Sequence, residues 1–323
     1  VDGVTSTRSD AAGGPRWTST RFLILASAAT LLVVLGGSLA MWRLYEASFI
    51  HQGSATPGVH AQPDRPLVVG VARTPGGPKE WIAFARVFAQ LQRDLGRPVT
   101  LRYSLDKAES ARLVNAGAVD IALMSTSAYL IAQRESAIEL IAAPIIEGRT
   151  DDAAVLVVRG DSESGSLDDL RGGRLAVSPD SLAGHSFIHW LFVDRDDSPG
   201  EFFSAVTESG VQDSNLAKVA EGEADATSVR RAALASWPKD TFRVVAESRP
   251  FGMPPVVARE DLDDETLAAV RRSLLSASER GVIPAASVID GFTVPAQSDY
   301  DFSRELERLT RDIEAEPIGA SGS

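Results

Sequence analysis

Three consecutive hydroxyl residues, Ser125, Thr126 and Ser127, stand where a buried apolar run gives way to an amphipathic one. That position is a strand-to-helix junction, where unpaired backbone N–H groups and the helix dipole favour an anion. A second junction repeats the arrangement. The segment LAVSPDSLAGHSFIHWLF ends a strand at Ser178 and offers Ser181, Gly184, His185 and Ser186 before an apolar helix. Glycine at 184 would let an oxyanion approach the backbone closely. A protonated His185 beside such an anion would tighten binding at lower pH. The competing reading of either junction is simple helix capping. Two junctions at the carboxyl ends of strands are, however, where an open α/β sheet binds its ligand. Thr74, Tyr103 and Tyr129 follow strands or open helices near the same ends and could line the same cleft.

Other chemistries find little support. The chain has no cysteine and only four histidines, two of them in a Gly/Pro-rich stretch. This excludes disulfides, thiolate metal sites and Cys nucleophiles. His185 and His189 are four apart, but without a His-Glu-x-x-His pattern they read as packing residues. Gly76-Gly77-Pro78-Lys79 lacks the spacing of a phosphate-binding P-loop, and there is no Gly-x-Ser-x-Gly elbow. No enzyme activity, cofactor or metal is expected. A net charge of −12 disfavours nucleic acid as a partner.

The elements that would position these residues alternate short apolar runs with amphipathic ones, the pattern of βα units around a largely parallel sheet. Leu67 to Ala72 reads as a strand. Pro78 opens a helix with Trp81, Phe84, Ala85, Phe88, Leu91 and Leu95 on one face, and Gly96 closes it. Strands are expected at 99–103, 119–124, 138–143, 174–178, 202–206 and 242–246, with helices at 107–116 and from about 127. Asp263 caps a helix expected to run through Glu279, and a last one covers about 302–315.

Two internal echoes divide the chain. NAGAVDIALMS at Asn115 to Ser125 shares its Gly-x-x-Asp logic with AEGEADATSV at Ala220 to Val229, and VLVVRGD at Val155 matches PVVARED at Pro255. Two similar lobes joined by two crossing strands would produce both. The expected division is lobe 1 at 65–155 and 252–316, lobe 2 at 156–251, and a frayed end at 317–323. A hinge is expected near Val155 to Arg159 and Pro255 to Arg259.

Ahead of the lobes, residues 22–42 form an uncharged apolar run of about 21 residues, near the roughly 20 that span a bilayer. Arg8, Arg16 and Arg21 would hold the tail, 1–21, in the cytoplasm. Residues 43–64 read as a flexible linker. The alternative is a cleaved signal ending near Ser38-Leu39-Ala40. Either reading exports the lobes to the periplasmic or extracytoplasmic side.

From about Pro66 to Asp312 the motif order resembles the phosphate, phosphite and phosphonate substrate-binding proteins of ABC transporters, the PhnD-like group of type II periplasmic binding proteins. The likeness rests on the Gly-x-x-Asp-Ile-Ala strand with Tyr129 after it, SLDDLRGGRLAVSPDS at Ser166 to Ser181, the Gly-x-x-Asp-Ala repeat at Gly222, and PPVVARED. It implies a two-lobed α/β fold, each lobe a mixed sheet flanked by helices. It also implies capture of a small oxyanion between the lobes for delivery to an ABC permease; the alternative is a membrane-anchored sensor of the same fold. The family's Ser-Thr-Ser-Gly loop stands here as Ser181-Leu182-Ala183-Gly184, which keeps the first serine and the glycine. By the same resemblance, Asp225 is the cleft carboxylate that would receive the amino group of an aminoalkylphosphonate.

Overall fold

The computed structural model describes residues 65–72, 78–104, 106–179 and 181–315. The expected tail, membrane segment and linker over 1–64, Thr74, the side chain of Trp81 and the end at 317–323 lie outside the described residues.

The first lobe begins with β1 (Leu67–Ala72), α1 (Pro78–Leu95), β2 (Val99–Ser104), α2 (Lys107–Asn115), β3 (Ile121–Leu123), α3 (Thr126–Glu135) and β4 (Ile138–Ile146). The chain then passes through β5 (Asp151–Asp152) into a second sheet: β6 (Ala154–Arg159), β7 (Arg174–Val177), a π-helical turn at Leu182–Ser186 continuing as α4 (Phe187–Leu191), α5 (Pro199–Phe202), β8 (Ala205–Glu208), α6 (Gln212–Ala220), β9 (Ala226–Arg230), a 3-10 turn at Arg231–Ser236 and β10 (Phe242–Glu247). It returns through β11 (Phe251–Gly252) to β12 (Val256–Arg259), α7 (Asp264–Leu275), β13 (Ile289–Thr293) and α8 (Asp301–Ala315).

The strand orders are β13-β4-β12-β3-β1-β2 and β10-β6-β9-β7-β8. Without β13 the two sheets are the same. In each, one parallel trio (β3-β1-β2 or β9-β7-β8) meets an antiparallel strand, β12 or β6, delivered from the other lobe. The echoes are therefore real repeats. Gly117 and Gly222 both take left-handed backbone, φ 64° and 77°, which ends a helix at little steric cost. Asp120 then accepts the N–H of Val68 at 2.8 Å, and Asp225 that of Arg174 at 2.7 Å, each aspartate clamping the neighbouring parallel strand. The arginines of the second echo complete the motif. A Cβ on Gly117 would sit 3.7 Å from Arg259 Nη1, and one on Gly222 3.6 Å from Arg159 Nη1.

Of the segments expected at the hinge, Val155 to Arg159 and Val256 to Arg259 lie inside sheets, in β6 and β12. The crossing is the two-stranded ribbon of β5 and β11 just before them, with Phe251 paired to Asp152 and Gly252 to Asp151. Tyr300, fully buried, lies over this ribbon and donates its hydroxyl to Met253 O at 2.8 Å.

Phe84, Phe88 and Leu91 of α1 pack with Leu67, Val69 and Ile121, and with Leu267, Val270 and Leu274 of α7. Ala85 faces solvent, and Ala83 and Val87 take the buried positions beside Phe84 and Phe88. A small residue fits either side of an amphipathic helix, so periodicity places alanine poorly. α7 ends at Leu275 rather than Glu279, and Ala277 is buried in the following turn. Phe202, expected in a strand, closes α5, which the Ser198–Glu201 capping box starts.

The larger core runs through both lobes, joining Tyr129 and Leu130 to Phe187 and Ile188 by way of Phe302 and Leu306 of α8. α8 is thus a shared element. It reaches α3 through Arg134–Glu307 and Arg304–Gln133, and lobe 2 through Ser186–Thr310 and Trp190–Glu305.

Candidate functional site

In lobe 1, β3 ends on the crossing segment, where the Met124 N–H donates to Pro255 O at 3.2 Å. Ser125 follows as the N-cap of α3, its Oγ accepting from Ala128 N at 3.2 Å. The capping reading therefore holds for Ser125. It does not hold for Thr126, which is only 7 % exposed and whose Oγ1 has no hydrogen-bond partner. Ser127 is half-buried in the same first turn. A buried hydroxyl left unmatched costs about 1–3 kcal/mol. It stands in the first turn of α3, the end of a helix where an anion is favoured.

Tyr129, one turn on, is wholly buried against Tyr300, with ring centroids 4.7 Å apart. Its hydroxyl donates to Gln297 Oε1 at 2.7 Å and accepts from Gln133 Nε2 at 2.9 Å. Burial raises its pKa above the usual phenol range. Its contacts are internal, and they fasten α3 to the segment leading into α8. Tyr103, near the carboxyl end of β2, is 47 % exposed.

The lobe 2 junction is internally bonded. Ser181 Oγ accepts from Gly184 N and from Gln212 Nε2, both at 3.1 Å, and Ser178 Oγ accepts from Asn215 Nδ2 at 3.1 Å. A Cβ on Gly184 would lie 2.8 Å from Ser178 O, so the chain's own turn needs this glycine. Ser186 is buried and hydrogen-bonded to Thr310 of α8. His185 lies with its ring centroid 4.5 Å from that of His189. Burial, helped by the neighbouring His185, lowers the His189 pKa to about 4. Among the described residues no group of three His, Asp or Glu is arranged to hold a metal. Leu182 and Ala183 are buried and bring no hydroxyl to the junction.

Asp225 is not with the others. It is exposed at the amino ends of β7 and β9, held by Arg174, whose Nη2 lies 2.8 Å from Oδ1. The Arg174 guanidinium beside it keeps its carboxyl below the usual carboxylate range. The resemblance had implied a ligand group, but this geometry sets it at the end of the sheet opposite Ser181.

Three residues near the junctions carried no functional reading from sequence. Arg230 ends β9, its Nη1 3.0 Å from Oδ2 of the fully buried Asp152. Its backbone N–H donates to Gln212 Oε1 at 2.9 Å, so Gln212 joins Arg230 to Ser181. The signal for Arg230 was present in the first echo: Ser125 lies five residues after Asp120, and Arg230 five after Asp225.

Two sheets of one topology, exchanging a strand each and presenting strand-to-helix junctions at their carboxyl ends, define a two-lobed α/β protein. Residues 79–300 match the family described as ABC transporter, phosphonate, periplasmic substrate-binding protein, and the chain belongs to that family. Among solved structures it is similar to a binding protein component of an ABC phosphonate transporter from Pseudomonas aeruginosa, at 18% identity and a TM-score of 0.65 over 80% of this chain and 91% of that one. It is also similar to PhnD1 from Prochlorococcus marinus in complex with methylphosphonate, at 15% identity and TM-score 0.63 over 76% and 99%. A third is the periplasmic aliphatic sulphonate binding protein SsuA from Escherichia coli, at 13% identity and TM-score 0.50 over 77% and 87%. These likenesses establish the fold, a mixed α/β sheet in each lobe flanked by helices.

Proposed function

We propose that this protein captures a small tetrahedral oxyanion of the phosphonate class between lobe 1 (65–155 and 252–316) and lobe 2 (156–251), and presents it to an ABC permease. The observation that carries this reading is Thr126, a buried donor without a partner at the amino end of α3. Ser127 and the first-turn N–H groups of α3 add neutral donors for further oxygens. Closure would turn on the β5–β11 ribbon. The family description and the methylphosphonate bound to PhnD1 support the ligand class. In this reading the apolar run at 22–42 keeps the lobes on the outer face of the cytoplasmic membrane, and no reaction is catalysed.

A thermal-shift screen with phosphate, phosphite, methylphosphonate, 2-aminoethylphosphonate and sulfate tests the ligand. A micromolar binder supplied at millimolar concentration stabilises the protein by about 4 kcal/mol. No shift with any of the five oxyanions would overturn the reading. Fractionation of the mature protein tests the anchor, since a cut after Ser38-Leu39-Ala40 would release a soluble carrier.

A further inference from the structure

Aligning the sequences of the two halves on their Gly-x-x-Asp echo matches Arg230 with Ser125 and Arg231 with Thr126. Each pair stands at the carboxyl end of the strand that borders the one exchanged between lobes, Arg230 as the last residue of β9 and Ser125 two residues past β3. In lobe 1 Leu123 is paired with Val256, and in lobe 2 Arg230 is paired with Ala154. Ser125 and Arg230 therefore stand at equivalent strand ends of their lobes, and Arg230 reaches Asp152 of the crossing ribbon. Lobe 1 has hydroxyls there, and lobe 2 has guanidinium groups.

Arg231 is turned to another task, an ion pair with Glu247 on β10. Arg230 is held differently. Its side chain is 17 % exposed and that of Asp152 is fully buried. Asp152 also accepts from Ala153 N at 2.9 Å and Ala232 N at 3.0 Å, so its oxygens are committed to holding the arginine in place. A guanidinium has five donors in a planar fork, and Asp152 takes one of them. Asp213, half-buried on the first turn of α6, also feels the charge of Arg230. A buried ion pair is weak support for stability, since an apolar pair of similar size serves as well. The backbone N–H of Arg230 donates to Gln212, which donates in turn to Ser181, so Arg230 is tied to the junction that carries Leu182 and Ala183 and lacks their hydroxyls.

We propose that Arg230 is the ligand-binding cation of lobe 2, taking oxygens of the anion that α3 holds from lobe 1. The proposal rests on the oxyanion reading above and adds to it the lobe 2 partner and a preference for doubly charged anions. Asp152 is then a positioning residue, present to aim the fork.

Titration calorimetry of wild type, Arg230→Gln, Arg230→Lys and Asp152→Asn with methylphosphonate, alongside urea unfolding of each, tests this. Charge-assisted hydrogen bonds of the usual strength predict binding weakened by about 10- to 100-fold in Arg230→Gln. Arg230→Lys should lose about 5- to 10-fold, keeping the charge but not the fork. Asp152→Asn should also weaken binding, by less than Arg230→Gln, because one amide oxygen cannot accept both from Arg230 and from the N–H groups of Ala153 and Ala232, so the fork loses its aim. A merely structural pair would instead lower stability in urea and leave the affinity of the folded variants for methylphosphonate unchanged, and that result overturns the proposal. So does folded Arg230→Gln binding within about 3-fold of wild type. If Arg230→Gln does not fold, Arg230→Lys, which keeps the ion pair, decides: unchanged affinity overturns the assignment. Wild type that binds no methylphosphonate or phosphate would instead sink the oxyanion reading itself.

Discussion

Replacing Thr126 by valine exchanges one hydroxyl for a methyl group of similar size, and should move stability and binding in opposite directions. In the free protein Thr126 Oγ1 is buried without a partner, so the substitution removes an unmatched group and not a bond. Threonine and valine have similar helix propensities, which leaves the desolvation term to decide. The free protein should gain about 1 kcal/mol. In the complex the same hydroxyl would donate to a charged oxygen, a bond of about 1.5–3 kcal/mol, and its loss weakens binding by about 10- to 100-fold. At a ligand concentration 100 times the wild-type Kd, wild type is stabilised by about 2.7 kcal/mol, and a variant weakened about 30-fold by about 0.9 kcal/mol. The order of stabilities therefore crosses. Valine leads by about 1 kcal/mol without ligand, and wild type leads by about 0.8 kcal/mol with it. Urea unfolding with and without methylphosphonate, together with calorimetric Kd values, reads both effects. A free protein destabilised by more than about 1 kcal/mol would mean the hydroxyl is matched in solution. An unchanged Kd would remove Thr126 from the ligand site.

The crossing ribbon and the paired histidines give further tests. A Cβ on Gly252 would lie 2.6 Å from the ring of Tyr300, so Gly252→Ala must displace a fully buried ring and its hydrogen bond to Met253 O. Overpacking and the lost bond together should cost about 2–4 kcal/mol in urea unfolding, and much less in a Tyr300→Leu background; a cost under about 0.5 kcal/mol would show that the ribbon shifts freely. His189 has its pKa lowered to about 4 by burial and by His185. Between that value and the unfolded value near 6.5, only the unfolded chain binds the proton, so stability rises with pH across this window and is lost as pH falls towards 4. Discounted for the solvent that this half-exposed ring still meets, the effect is roughly 1–2 kcal/mol. In His189→Leu that part of the acid loss should vanish, and an unchanged profile between pH 4 and 7 would refute it.

Much of the fold was legible because it is written in short-range signals. Pro78 and Gly96 bound α1, Ser125 and Asp263 cap α3 and α7, and two Gly-x-x-Asp echoes mark a repeat that the sheets confirm. Elements whose limits depend on distant partners were misplaced. Phe202 is apolar enough for a strand, yet the Ser198–Glu201 box folds it into α5, where it packs with Phe192 and Phe203. The crossing was read a few residues late because β6 and β12 carry the repeated sequence, while the ribbon itself has no counterpart in the pattern.

The sequence by itself determined the order of elements, the repeat, and the strand ends where anion-binding residues would have to stand. Local hydrogen bonding and hydrophobic periodicity suffice for that. Only the tertiary structure decided which of the polar residues there are already engaged. Ser186 is matched to Thr310, 124 positions away, and Tyr129 to Gln297, 168 away. Asp152 meets Arg230 across 78 residues. A side chain's chemistry is legible from its type, but its spare hydrogen-bonding capacity depends on what the rest of the chain brings to it. Folding leaves Thr126 unmatched in one lobe and ties Arg230 to a buried Asp152 in the other.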